Sequence, residues 1–161
     1  MVIRPLASSD RADLHDALVR CGAFSDEEEV VALEVLDDGL KGGLEGDYPH
    51  LVADVDGVVQ GYVTVGKTPM TRSTWHLYWI CVHPRAQGLG VGRALQAAAE
   101  AFVVARGGER LVLETGGRPD YARTRRFYAD AGYVEVGRVV DFYRPGDDCV
   151  YFCKAFCAVP G

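Results

Sequence analysis

The chain has 161 residues, a formal net charge of −6 and an apolar fraction of 48%. That length suits a single sizeable core, and the acidic balance argues against a nucleic-acid partner, whose phosphates demand a basic surface. No run nears the roughly 18 apolar residues of a membrane span, and the opening MVIRPLASSDRADLHD turns polar too early for a signal peptide.

A cytoplasmic protein with no membrane partner is therefore expected. The cysteines Cys21, Cys81, Cys149, Cys153 and Cys157 are odd in number and read as free thiols. The last three recur every fourth residue, but CVYFCKAFC is rich in aromatic and β-branched residues and reads as a strand. That spacing then sets all three on one sheet face. With no further His or Cys pair at ligand spacing, no metal is expected.

In chain order, residues 2–5 form a short strand ended by Pro5. Asp10 to Arg20 carries Leu14, Ala17, Leu18 and Cys21 at helical spacing. Ser25 with Glu28 makes a capping box that opens a second helix through Leu36, and Glu27, Glu28 and Glu29 suit its first turn. Residues 37–50 read as a glycine-rich loop. LVADV and VVQGYVTVG flank Asp56-Gly57, a favoured hairpin turn. Trp75 to Val82 is apolar on both faces and so central. A helix follows from Leu89 to Arg106, stopped by Gly107-Gly108. Arg110 to Thr115 is a buried-type strand, and Asp120 can cap a helix over Tyr121–Asp130. Strands near 133–143 and 149–156 close the chain around RPGDD. The order predicts one mixed α/β domain.

Gln87-Gly88-Leu89-Gly90-Val91-Gly92 lies between a strand and a helix. The first N–H groups of a helix have no internal partner and carry partial positive charge. Glycine, lacking a Cβ, lets an anion come close to them. No Ser, Thr, Asp or Asn stands here to cap the helix, so the free donors point to a phosphate or pyrophosphate. The loop lacks the GK[ST] ending of a Walker A motif, and Arg93 occupies the third glycine position of GxGxxG. Spacing alone leaves open a turn that binds nothing.

VxPxxQGxGxGRAL, starting at Val82, resembles the acetyl-CoA loop of the GNAT superfamily of N-acetyltransferases. TRRFYADAGY, residues 124–133, resembles that superfamily's AxxFYxxxGF segment, in the expected order and separation. The resemblance covers essentially the whole chain. It implies a single N-acetyltransferase domain over residues 1–161 with an α/β GNAT-like fold. Its central sheet would be mixed and mostly antiparallel, with about six or seven strands, about four helices and a splay between the fourth and fifth strands.

Acetyl-CoA is then the implied co-substrate. Backbone amides of Gln87, Gly88, Leu89, Gly90, Val91 and Gly92, with Arg93, would hold its pyrophosphate. The backbone of Ile80, Cys81 and Val82 would pair with the pantetheine arm, and Thr124 and Tyr128 would join the contacts. The sequence departs from the family pattern at Tyr121, where Asn is frequent, and at Thr124, where Ala is frequent.

Acetyl transfer to an amine needs a neutral amine, a donor for the oxyanion and a proton for the leaving thiolate. Tyr128 suits the last role, because a phenol of pKa ~10 is protonated at neutral pH. It shares a helix face with Tyr121, Thr124 and Ala131. The resemblance assigns the oxyanion to the backbone N–H of Val82 or its neighbour. His76, early in the central strand where some histone-type relatives carry a glutamate base, and Glu114, ending the next strand, are both candidates for the base. A water chain is a third route. His83, before Pro84, reads as structural.

Asp37, Asp38, Glu45 and Asp47, with Asp141, Asp147 and Asp148, could attract a cationic amine or simply be solvated. Tyr48, Trp75, Trp79, Phe142 and Tyr143 could line a pocket or fill the core. The expected function is acetyl transfer from acetyl-CoA to a primary amine by direct attack in a ternary complex. The alternatives are another acyl-CoA, or a CoA-binding regulatory domain without turnover. The resemblance also allows a homodimer.

Overall fold

A computed structural model describes residues 1–22 and 24–156. The strands are β1 (Val2–Pro5), β2 (His50–Val55), β3 (Val58–Lys67), β4 (Thr74–Val82), β5 (Arg110–Gly116), β6 (Val134–Arg144) and β7 (Asp147–Ala155). They form one seven-stranded sheet in the order β1-β2-β3-β4-β5-β7-β6. Four α-helices accompany them among the described residues: α1 (Arg11–Cys21), α2 (Asp26–Gly42), α3 (Val91–Ala105) and α4 (Ala122–Asp130). β4 and β5 run parallel, whereas β1–β2, β2–β3, β5–β7 and β6–β7 are antiparallel. The mixed, mostly antiparallel α/β sheet is thus the one expected. The β4–β5 ladder covers Thr74–His76 against Arg110–Val112 and stops there, which is the splay between the fourth and fifth strands.

The chain divides into two compact units, one of Met1–Lys67 with Leu77–Phe102 and one of Thr68–His76 with Val103–Gly161. In the first, Leu14, Ala17 and Leu18 of α1 and Ala32 and Leu36 of α2 pack on Val52, Val59, Tyr62 and Cys81 of the strands. The helical stripe of the sequence is the stripe that is buried.

Residues 37–42 correct the loop expected there. They continue α2, whose buried face runs Ala32, Leu36, Gly39. Gly39 looks like a breaker but is a packing residue. A Cβ on it would collide with the His50 ring and would lie 2.8 Å from the Tyr48 carbonyl oxygen. The nearby charges support the extra turns. Asp37 takes a two-point bond from Arg11 at 2.7 and 2.9 Å, and Lys41 reaches Asp38 at 2.9 Å.

In the second unit, the register assigns side chains to faces. Leu111, Leu113 and Thr115 of β5 share one face with Val150, Phe152 and Lys154 of β7. All of these but Lys154 are buried, and Trp75, opposite Leu111, packs with Val103 of α3 around Gly108 on the same side. The other face carries His76, Val112, Glu114, Cys149, Tyr151 and Cys153 and is more open, with Glu114 exposed. Cys149 and Cys153 do share this face; Cys157, expected to join them, lies outside the described residues.

Asp120 does not cap α4. It pairs with Arg118 at 3.0 Å, and the capping position falls to Tyr121, which makes no side-chain cap. Arg125 fixes this turn instead, donating to the carbonyls of Gly116 at 2.7 Å and Arg118 at 2.9 Å.

Candidate functional site

The first unit holds the glycine loop. His83, at the end of β4, is buried and braced. Its backbone N–H donates to Gln60 O at 2.8 Å, its Nδ1 accepts from Arg85 N at 3.2 Å, and its Nε2 lies 3.2 Å from the Asp16 carboxylate. A ring nitrogen that accepts from a backbone N–H carries no proton, so Nε2 is the donor toward Asp16. Arg85 adds a bond to the Gln60 side chain at 2.9 Å. The structural role expected of His83 is the one these contacts describe.

Beyond this brace, Gln87, Gly88, Leu89 and Gly90 are all exposed. Gly88 and Gly90 have φ of 79° and 83°. A Cβ built at either would meet nothing, so their glycines answer to a left-handed backbone, not to crowding. α3 starts at Val91, and its first turn contains no acidic residue. The Ala94 N–H closes onto Gly90 O at 3.0 Å, which leaves the N–H groups of Val91, Gly92 and Arg93 ahead of the first helical bond. Gly92 is the second residue of the helix, within this first turn. Arg93 is exposed in the same turn. The arrangement is a set of open donors with a cation beside them, which suits an anion.

Before the loop, Cys81 is buried and turns its thiol to the Ala17 carbonyl of α1 at 3.2 Å, beside Cys21, which with burial pushes the Cys81 thiol up. The Cys81 carbonyl faces Gly61 and the His83 N–H faces Gln60. Because successive backbone groups of a strand point to opposite edges, Ile80 and Val82 turn theirs the other way. The Val82 carbonyl there accepts from the Gln87 side chain at 3.3 Å.

The second unit places the titratable candidates on both faces of its sheet. Tyr128, from α4, is on the helix-covered side, ringed by Phe127 at 5.3 Å, Tyr133 at 5.8 Å and Phe152 at 6.2 Å between centroids. Burial pushes its phenol above the ordinary value, so the proton stays on at neutral pH. Thr124 is half-buried one turn earlier on the same helix face. His76 and Glu114 are on the open face. Burial lowers the His76 imidazole, opposed by the Glu114 carboxylate, and the ring is neutral at pH 7. Tyr128 thus lies on one face of this sheet, and His76 and Glu114 lie on the other.

The acids nominated to attract a cation are largely engaged. Asp37 and Asp38 are paired as described, and Asp148 holds Arg138 at 3.1 Å while accepting from Asp141 N. Asp141 accepts from Gly146 N at 2.6 Å, and Asp147 is buried beside Arg144 at 3.6 Å. Among the aromatics, Trp75 is core, Trp79 packs against the first unit's core, and Tyr48 meets Tyr78 edge-on at 5.4 Å. Phe142 and Tyr143 are exposed. No group of three His, Cys, Asp or Glu side chains among the described residues is placed to hold a metal. One residue escaped sequence reading: Tyr151, directly opposite Glu114. Its period-2 position on β7 was legible, but its partner strand was not.

Comparison with known proteins agrees with this geometry. The model of the acetyltransferase (GNAT) family matches residues 11–133. No curated protein matches. Among solved structures, a GNAT-family protein from Desulfovibrio desulfuricans is 37% identical with a TM-score of 0.91, covering 96% of this chain and 98% of that one. An aminoglycoside 6'-N-acetyltransferase complexed with coenzyme A is 17% identical at TM-score 0.76, with full coverage of both chains. The ribosomal-protein-S18-alanine N-acetyltransferase of Escherichia coli is 20% identical at TM-score 0.77, covering 99% of this chain and 96% of that one. The last two share the fold. The family match and the 37% identity together establish that this chain belongs to the GNAT acetyltransferase family and is an acyltransferase.

Proposed function

We propose that the protein moves an acetyl group from acetyl-CoA to a primary amine by direct attack in a ternary complex, as one N-acetyltransferase domain spanning residues 1–161. The observation that carries this reading is the start of α3. Exposed left-handed glycines lead into a helix whose first turn has no acid and whose donors are open. Backbone amides of Gln87 to Gly92, with Arg93, would take the pyrophosphate. Along the Ile80–Cys81–Val82 stretch, the backbone of Ile80 and Val82 would pair with the pantetheine arm, while Cys81 turns its carbonyl to β3 instead, and Thr124 would add a side-chain contact. The Val82 N–H would meet the developing oxyanion.

Tyr128 is the general acid in this reading. Its buried phenol keeps its proton at neutral pH and can give it to a departing thiolate. Glu114, assisted by the neutral imidazole of His76, takes the proton from the amine. The same reading places the protein in the cytoplasm, without a metal or a nucleic-acid partner. It includes a homodimer, supported by the exposed apolar side chains along the edge strand β6.

The test is release of free thiol from acetyl-CoA across a panel of amines. Tyr128→Phe should lower kcat by about a hundredfold, the usual scale of general-acid assistance, with little change in acetyl-CoA affinity. An unchanged kcat would remove Tyr128 from the acid role. Cofactor binding without turnover on any amine would favour a regulatory domain.

A further inference from the structure

We infer that Tyr151 is a positioning residue for Glu114, holding its carboxylate in the orientation that receives the amine proton. The inference rests on the reading of Glu114 as the base and adds the group that orients it. The β5–β7 register sets Tyr151 directly opposite Glu114. Residues so paired share a face with their Cβ atoms about 4.5–5.5 Å apart. His76, opposite Val112, stands on the same face one alternation earlier, so the carboxylate has an imidazole on one side and a phenol on the other.

Glu114 lies two residues past Val112, the last β5 residue paired with β4, and is exposed. An exposed glutamate left alone samples several rotamers, and ordering it costs entropy. A phenol on a stiff strand supplies an O–H donor with only two side-chain torsions to fix. The neighbouring Cys149 thiol, burial and Glu114 push the Tyr151 phenol up to about 12, so it keeps its O–H at neutral pH. Tyr143 Oη meets the same thiol at 3.7 Å. On its far side Tyr151 pairs with Gly137 of β6, which presents no side chain opposite it.

Steady-state kinetics of the full chain with acetyl-CoA and the best amine tests this. Tyr151→Phe should lower kcat about tenfold, the scale of one hydrogen bond to a charged group, with the KM for acetyl-CoA unchanged. Tyr151→Gln, which returns an N–H donor, should recover kcat above the Phe level. Adding Tyr151→Phe to Glu114→Gln should cost nothing further, because the two act through one carboxylate. Wild-type kcat in Tyr151→Phe, no recovery in Tyr151→Gln, or losses that multiply in the double variant would overturn the inference and leave Glu114 in place. Wild-type kcat in Glu114→Gln would instead remove the base on which it rests.

Discussion

Two helix starts in the first unit meet the same physical problem and resolve it in opposite ways. α2 satisfies its own donors. The Ser25 side chain accepts from Glu28 N, the Glu28 carboxylate returns to Ser25 N at 2.8 Å, and Asp26, Glu27, Glu28 and Glu29 fill the first turn. α3 has no acid in its first turn and is entered through glycines in left-handed backbone. A helix that forgoes about 1 kcal/mol of side-chain capping carries a stability cost. The difference teaches that a missing cap can be as informative as a motif: α2 is finished by its own sequence, and α3 keeps its first turn free of acid, as the proposed pyrophosphate site requires.

The contrast can be broken at three places. Gly90→Asp moves an α2-type acid onto α3, at a position whose φ of 83° disfavours any side chain. Acetyl-CoA affinity measured by calorimetry should fall at least about a hundredfold, from like-charge repulsion and backbone strain together. Retained affinity would mean that α3 does not hold the pyrophosphate. Arg93→Ala should weaken acetyl-CoA by about tenfold, the worth of one charge-assisted bond, and leave kcat alone. A drop in kcat without a change in affinity would move Arg93 from binding to chemistry. Ser25→Ala should cost about 1 kcal/mol of stability in a thermal or denaturant melt, with acetyl-CoA affinity unchanged. Weakened cofactor binding there would show that the two helix starts are coupled and that the contrast is too simple.

Much of this was legible because it is local. The capping box of α2, the Asp56-Gly57 turn and the glycine loop are each written within six residues, and the seven strands and four helices of the described residues fall close to the expected positions, apart from α2, which runs past Leu36 to Gly42. What misled was a local signal with a distant cause. Gly39 resembles a loop residue because the reason for it, the His50 ring, is eleven positions away. The acidic residues of residues 37–50 and of the last hairpin looked free for the same reason, since Arg11 and Arg138 reach them only after folding. The site was legible as parts. Tyr128, His76 and Glu114 could be nominated singly, but which face each occupies depends on the β5–β7 register. Tyr151 could not be nominated at all, because nothing local marks it as the neighbour of Glu114.

The central claim is that the protein spends acetyl-CoA on an amine. The direct measurement is thiol release from acetyl-CoA with and without each amine of a panel, with the acetylated product followed by mass spectrometry. Equal amounts of free thiol and acetylated amine, with the rate collapsing in Tyr128→Phe, are the predicted result. Acetyl-CoA binding with neither thiol nor acetylated product from any amine would contradict it.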